Sequence, residues 1–143
     1  MKGEAIKILL VEDNPDHVML IKTVLGENNL LIVTDGQEAL DYIYHKGKYA
    51  DENKAPRPDL IFLDLKLPKV DGFEVLSQLK SDPELKSIPI IILTTSSQNE
   101  EIVRGYARGA NSYITKPVKF NEFVDKIKNL KLYWAFVNTL PKE

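Results

Sequence analysis

The stretch Ile6-Lys-Ile-Leu-Leu-Val-Glu-Asp-Asn-Pro15 holds a strand, its end and the start of a helix. From Ile6 to Val11 the chain is apolar with little alternation, as in a strand covered by helices on both faces of a parallel sheet. It stops at two carboxylates, Glu12 and Asp13. Asn14 can then cap a helix, with Pro15 at its first position, where the missing N–H costs nothing. Val18, Ile21 and Leu25 continue that helix as one apolar stripe at spacings of three and four.

The same unit recurs outward from this point. Leu30–Val33, Leu60–Leu63 and Ile88–Leu93 read as further strands, and Ser112–Ile114 as a shorter fifth. Helical patterns separate them, at about Gln37–Tyr44, from Gly72 to Ser81-Asp82-Pro83, and at about Gln98–Arg108 ending at Gly109. A last helix starts near Phe120, with Phe123, Ile127, Leu130 and Trp134 on one stripe. Residues 45–58 are polar with two prolines and read as an exposed connection. Strands alternating with helices predict a doubly wound (βα)5 α/β domain with a parallel five-stranded sheet. Ligands of such sheets bind beyond the carboxyl ends of the strands.

Composition removes several alternatives. The 143 residues suit one domain, and a chain of this size folds without disulfides or metal staples. There is no cysteine, which excludes thiol catalysis, iron–sulfur clusters and cysteine-ligated zinc. Nineteen basic against 21 acidic residues, a net charge of −2, make no general attractor for nucleic acid. Neither a signal peptide nor a membrane span is expected, so the protein is expected to be soluble and cytoplasmic.

The residues just past the strands are chemically one-sided. Glu12 and Asp13 come after the first, Asp64 after the third, Thr94 after the fourth, and Lys116 after the fifth. Acidic residues at such places often only cap the next helix, and Lys-Pro is usually a turn. As a set they need a further explanation, because carboxylates crowded in one cleft repel unless a cation or proton relieves them. Metal-assisted phosphoryl transfer supplies one. A hard cation, Mg²⁺ or Mn²⁺, takes oxygen ligands from Glu12, Asp13 and Asp64. Asp64 is placed to act as the nucleophile, since carboxylates form aspartyl phosphates. Lys116 neutralises charge on the phosphoryl oxygens, and Thr94 hydrogen-bonds one of them. Neither His17 nor His45 is expected near the strand ends, so the donor is expected to bring its own leaving group.

These residues resemble the receiver domain of two-component response regulators over nearly the whole chain. The resemblance rests on Leu10-Val-Glu-Asp-Asn14, Leu63-Asp-Leu-Lys-Leu-Pro68 with Asp71-Gly72, Leu93-Thr-Thr-Ser96, and Tyr113-Ile-Thr-Lys-Pro117. It implies the strand order 2-1-3-4-5 and Asp64 as acceptor of phosphate from a histidine kinase. Glu12 and Asp13 become the acidic pair for Mg²⁺, and the backbone carbonyl of Lys66 a further metal ligand. Thr94 and Tyr113 correspond to the switch hydroxyl and switch aromatic, and Lys116 to the family's active-site lysine. Lys66 is a less usual residue two past the acceptor, where family members tune dephosphorylation.

The long connection before the third strand and the tail from Leu132-Tyr-Trp134 to Leu140-Pro141 look like stand-alone regulators paired with phytochrome-type histidine kinases. The chain is thus expected to be a single receiver domain over 1–143, with a core at about 6–132 and an extension at 133–143. It would be a phosphoacceptor switch rather than an enzyme, promoting its own phosphotransfer and slow autodephosphorylation. Its aromatic tail, with strand five and helix five, is expected to form a homodimer. No nucleic acid or membrane partner is expected.

Rival chemistries fit less well. A haloacid-dehalogenase-type phosphatase needs a second aspartate where Lys66 stands. A flavodoxin-like flavin protein would not put Glu12-Asp13-Asn14-Pro15-Asp16 in a phosphate loop, and no Gly-x-x-x-x-Gly-Lys-Ser/Thr motif exists. A DNA-binding regulator would need an output domain for which the chain after the fifth strand leaves no room. The remaining alternative is a non-phosphorylated pseudo-receiver acting as a protein-interaction scaffold.

Overall fold

The structure, a computed structural model, describes residues 7–26, 30–94, Gly109, 112–115, Asn121 and Asp125. In chain order these form β1 (Ile8–Val11), α1 (Pro15–Leu25), β2 (Leu30–Val33), α2 (Gly36–Ile43) and a 3-10 turn at Gly47–Tyr49. Then come β3 (Leu60–Asp64), α3 (Gly72–Ser81), β4 (Ile90–Thr94) and β5 (Ser112–Thr115). The five strands make one parallel sheet in the order β2-β1-β3-β4-β5, as the resemblance implied. Apart from Gly109, Asn121 and Asp125, the last two of them helical, the expected fourth and fifth helices lie outside the described residues, as does the aromatic tail.

Strand periodicity sorts the core onto two faces. Leu9, Val11, Ile61, Leu63, Ile90 and Ile92 join Leu40, Val75, Leu76 and Leu79 of α2 and α3 in one cluster. Ile8, Leu10, Leu60, Phe62, Ile91 and Leu93 face the other way, onto Ile21 of α1. Both faces being covered explains why β1, β3 and β4 lack polar alternation.

Each described helix starts with a side-chain cap. Asn14 accepts from the N–H groups of Asp16 and His17, Asp35 from that of Glu38, and Asp71 from that of Glu74. The third helix ends where Ser81-Asp82-Pro83 predicted and starts at Gly72 itself rather than after it, because Asp71 caps it.

Three expectations change in detail. Among the described residues β1 begins at Ile8, with the Lys7 carbonyl shared between the N–H groups of Asp59 at 2.7 Å and Leu60 at 3.3 Å; Ile6 lies outside the described residues. The fourth strand begins at Ile90, not Ile88. Pro89 has no N–H for the ladder, and the N–H of Ile88 closes a turn onto the Leu85 carbonyl. The connection 45–58 is not simply exposed. Ala55 is fully buried, the Tyr42 hydroxyl donates to the Pro56 carbonyl at 2.8 Å, and Tyr49 packs edge-on against Tyr42 with ring centroids 5.1 Å apart. His45 Nε2 meets the Ala55 carbonyl at 2.8 Å. Polar side chains predicted a solvated loop; two of its backbone carbonyls are held by Tyr42 of α2 and by His45 just beyond it.

Candidate functional site

The site begins with sheet register. In the parallel pairing of β1 with β3, Val11 stands opposite Leu63. The next residue on each strand is a carboxylate, Glu12 or Asp64. Glu12 is fully buried and Asp64 is 8 % exposed, whereas Asp13 is exposed. Ligand oxygens of Glu12, Asp13 and Asp64 lie within 4.8 Å of one another. The structure thus brings together all three carboxylates that the sequence singled out.

Local backbone geometry holds two of them. The N–H of Asn14 donates to Glu12 Oε2 at 3.1 Å, so the turn that begins α1 also fixes this carboxylate. The N–H of Lys66 donates to Asp64 Oδ1 at 3.0 Å, an Asx-type contact from the loop after β3. The Lys66 side chain is exposed. The cleft above the carboxylates, about 490 Å³, is lined by Glu12, Asp13, Asn14, Asp16, His17, Asp64 and Lys66, with Pro15. A neighbouring hollow of similar size runs from Asp13 and Lys66 along Leu65, Leu67 and Pro68 to Asp71 and Phe73.

Histidine is where sequence reasoning fell short. His17 is not remote from the strand ends: its Nδ1 stands 3.7 Å from Glu12 Oε2, with the side chain 20 % exposed. Helical side chains lean toward the N-terminus, so the first turn of α1 returns residue 17 over the strand that precedes it. Position three of a helix capped by Asn14 was the signal available in the sequence.

The other site residues are placed by backbone alone. Thr94 is the last residue of β4, one past Leu93, the register partner of Asp64. Tyr113 lies in β5 opposite Ile92. Lys116, directly after β5, lies outside the described residues.

Three oxygen donors on adjoining strand ends suit a hard divalent cation, which prefers carboxylates and retained waters. No nitrogen or sulfur donor belongs to that trio. The geometry offers a carboxylate nucleophile beside a cation site, in a cleft open to a phosphate donor.

Comparison with known proteins agrees. The response regulator receiver domain family matches residues 8–128. The response regulator Rcp1 of Synechocystis sp. is 38 % identical over 138 residues, covering 94 % of this chain and 92 % of Rcp1. FilR2 of Methanothrix harundinacea, a probable methanogenesis regulatory protein, is 40 % identical over 139 residues, covering 94 % of this chain and 86 % of FilR2. Among solved structures, the phosphorylated cyanobacterial phytochrome response regulator RcpA superposes with a TM-score of 0.87 at 41 % identity, covering 97 % of this chain and 100 % of RcpA. The Mn²⁺-bound form of Rcp1 gives 0.83 at 37 % identity, covering 94 % and 98 %.

Proposed function

The chain belongs to the response regulator receiver domain family, and on that premise we propose that it is a phosphoacceptor switch, a single receiver domain taking a phosphoryl group from a sensor histidine kinase onto Asp64. The observation that carries this reading is the convergence of Glu12, Asp13 and Asp64 oxygens within 4.8 Å at the carboxyl ends of β1 and β3.

A carboxylate oxygen of Asp64 attacks the phosphorus of the donor, and the bond from phosphorus to the donor's imidazole nitrogen breaks, leaving an acyl phosphate. The contact from the Lys66 N–H to Oδ1 orients the carboxylate during that approach. Glu12, Asp13, Asp64 and the Lys66 carbonyl would hold Mg²⁺ or Mn²⁺, which neutralises charge on the transferred group when bound. Lys116 and Thr94 contact the phosphoryl oxygens from the neighbouring strand ends. The products are a phosphorylated Asp64 and a free kinase histidine; slow attack of water on phosphorus later breaks the bond to the Asp64 oxygen and releases inorganic phosphate.

Phosphorylation adds about −1.5 to −2 charges, and Thr94 moves to hydrogen-bond them. Tyr113 on β5 then rotates into the space released, altering the edge of the sheet that partners read. Likeness to the phytochrome response regulator RcpA supports a phytochrome-type kinase as the donor. The protein acts in the cytoplasm, as a dimer built from strand five, helix five and the aromatic tail, a reading supported by the apolar residues Tyr133, Trp134, Phe136, Val137 and Leu140. No helix among the described residues is long and apolar enough to cross a membrane.

The test is incubation with acetyl phosphate and Mg²⁺, read by intact mass. One hydroxylamine-labile phosphoryl group is expected, lost in Asp64→Asn because an amide is a far poorer nucleophile. A label that persists in Asp64→Asn overturns the assignment.

A further inference from the structure

The loop joining β3 to α3, residues 65–71, carries the Lys66 carbonyl, and its path is set from outside the cleft. It closes on itself where the Gly72 N–H donates to the Leu65 carbonyl at 3.0 Å. Its middle rests on α2. The first turn of any helix has N–H groups without intrahelical partners. That of Gly36 reaches the Pro68 carbonyl at 3.3 Å. A Cβ on Gly36 would stand 1.7 Å from the Val70 carbonyl oxygen and 2.9 Å from the Val70 Cβ, so the backbone of α2 lies directly against the loop. Lys69 takes the left-handed conformation, φ +68°, unusual for a residue with a side chain. Its Nζ is 3.5 Å from Asp35 Oδ2, on the residue that caps α2.

The helix itself is braced from behind. Glu38 accepts from the Thr34 N–H at 2.9 Å and from the Tyr49 hydroxyl at 2.6 Å, and Lys48 lies 3.1 Å from its Oε2. Lys66 is therefore held between Leu65, whose N–H donates to the Leu93 carbonyl of β4 at 3.3 Å, and Pro68, which is held by α2. Gly36 lines neither hollow at the site. Nothing local to the cleft requires a glycine there; contact with the loop does.

We propose that Gly36 is a positioning residue for the cation site, setting the Lys66 carbonyl through Pro68 and Val70. The proposal rests on the reading of that carbonyl as a metal ligand. A side chain at residue 36 pushes the loop and α2 apart, and the loss falls on ligand geometry as well as on packing. Partners outside the first ligand sphere commonly change metal affinity by about 10–100-fold.

Mn²⁺ affinity, measured by electron paramagnetic resonance of the free ion, tests this in wild type, Gly36→Ala, Lys69→Met and Gly47→Ala. Gly47 has a positive φ (+58°), but its Cβ would meet nothing within 4 Å, so it controls for a strained alanine without the loop contact. Gly36→Ala is expected to bind roughly tenfold more weakly and Gly47→Ala like wild type. Lys69→Met, which removes only the ion pair of an exposed side chain with Asp35, is expected to bind roughly twofold more weakly. Net charge alone predicts the reverse, because a protein with one positive charge fewer attracts a cation more strongly. Should Gly36→Ala not fold, Lys69→Met decides by the sign of its change. Normal binding by wild type with no weakening in the folded variants overturns this inference alone. A wild type that binds no Mn²⁺ overturns the metal reading and this inference with it.

Discussion

Glu12 and Asp64 are neighbours across the β1–β3 pairing, one residue beyond the Val11–Leu63 register pair, and one cleft receives both carboxylates. Placing two carboxylates side by side away from water costs desolvation and repulsion, and a divalent cation offsets both. Millimolar Mg²⁺ is therefore expected to raise the melting temperature, by a free energy of about 2.7 kcal/mol when Mg²⁺ stands at 100 times its Kd. Asp13→Asn removes the exposed ligand and is expected to abolish most of that gain while sparing the metal-free fold. Thermal scans with and without Mg²⁺ decide it; an equal gain in both proteins removes Asp13 from the site.

Gly72 marks a close approach of a different kind. A Cβ there would lie 2.3 Å from the Asp64 carbonyl oxygen and 2.6 Å from the Leu65 Cα, both backbone atoms with little room to yield. Gly72→Ala is expected to destabilise by roughly 1–3 kcal/mol, the usual cost of overpacking. It is also expected to slow acetyl-phosphate labelling, because the displacement falls on Asp64 itself. Urea denaturation gives the first quantity and the labelling rate the second.

Stability should fall at both ends of the pH scale for reasons lodged in α2 and its connection. Burial raises the pKa of Glu38, but the Tyr49 hydroxyl, the Thr34 N–H and Lys48 together outweigh it and hold the carboxyl below its usual 4.5. A depressed carboxylate contributes stability that is present above its unfolded pKa and lost as pH falls through the folded value. Burial first, then the charge of Tyr49, pushes Tyr42 from 10.0 up to about 12. A raised pKa contributes stability that is present below pH 10 and lost as pH climbs through about 12. Glu38→Gln should flatten the acid limb and Tyr42→Phe the alkaline limb of melting temperature against pH.

The proposed switch has a direct readout in nuclear magnetic resonance. Beryllofluoride with Mg²⁺ is expected to shift the ring signals of Tyr113 in wild type and to leave them in place in Thr94→Ala. Unmoved signals in wild type would make Tyr113 a fixed edge residue.

Self-association is expected to depend on the tail. Tyr133, Trp134, Phe136, Val137 and Leu140 are more apolar than a solvated terminus needs. Sedimentation at tens of micromolar should show a dimer in wild type and a monomer both in Trp134→Ala and in a chain ending at Leu132. A dimer unchanged by truncation would move the interface elsewhere.

The sequence by itself determined whatever is local. Asn14-Pro15 announces a helix start because caps act within three residues, Ser81-Asp82-Pro83 announces a helix end, and the unbroken apolar runs of β1, β3 and β4 announce strands buried on both faces. Strand-end position also singled out Glu12, Asp13 and Asp64, since a parallel sheet with right-handed crossovers places its ligands at that edge. Other features were decided only when distant segments met. The 4.8 Å grouping of those carboxylates depends on the β1–β3 register, and the return of His17 onto Glu12 on the direction of a helical side chain. The burial of Ala55 under polar neighbours, and the demand of the Val70 carbonyl for a glycine at position 36, arise between segments well separated along the chain. Caps and periodicities are encoded within a few residues and can be read along the chain. Contacts of packed backbone depend on how whole elements dock, and no single stretch of the sequence carries that information.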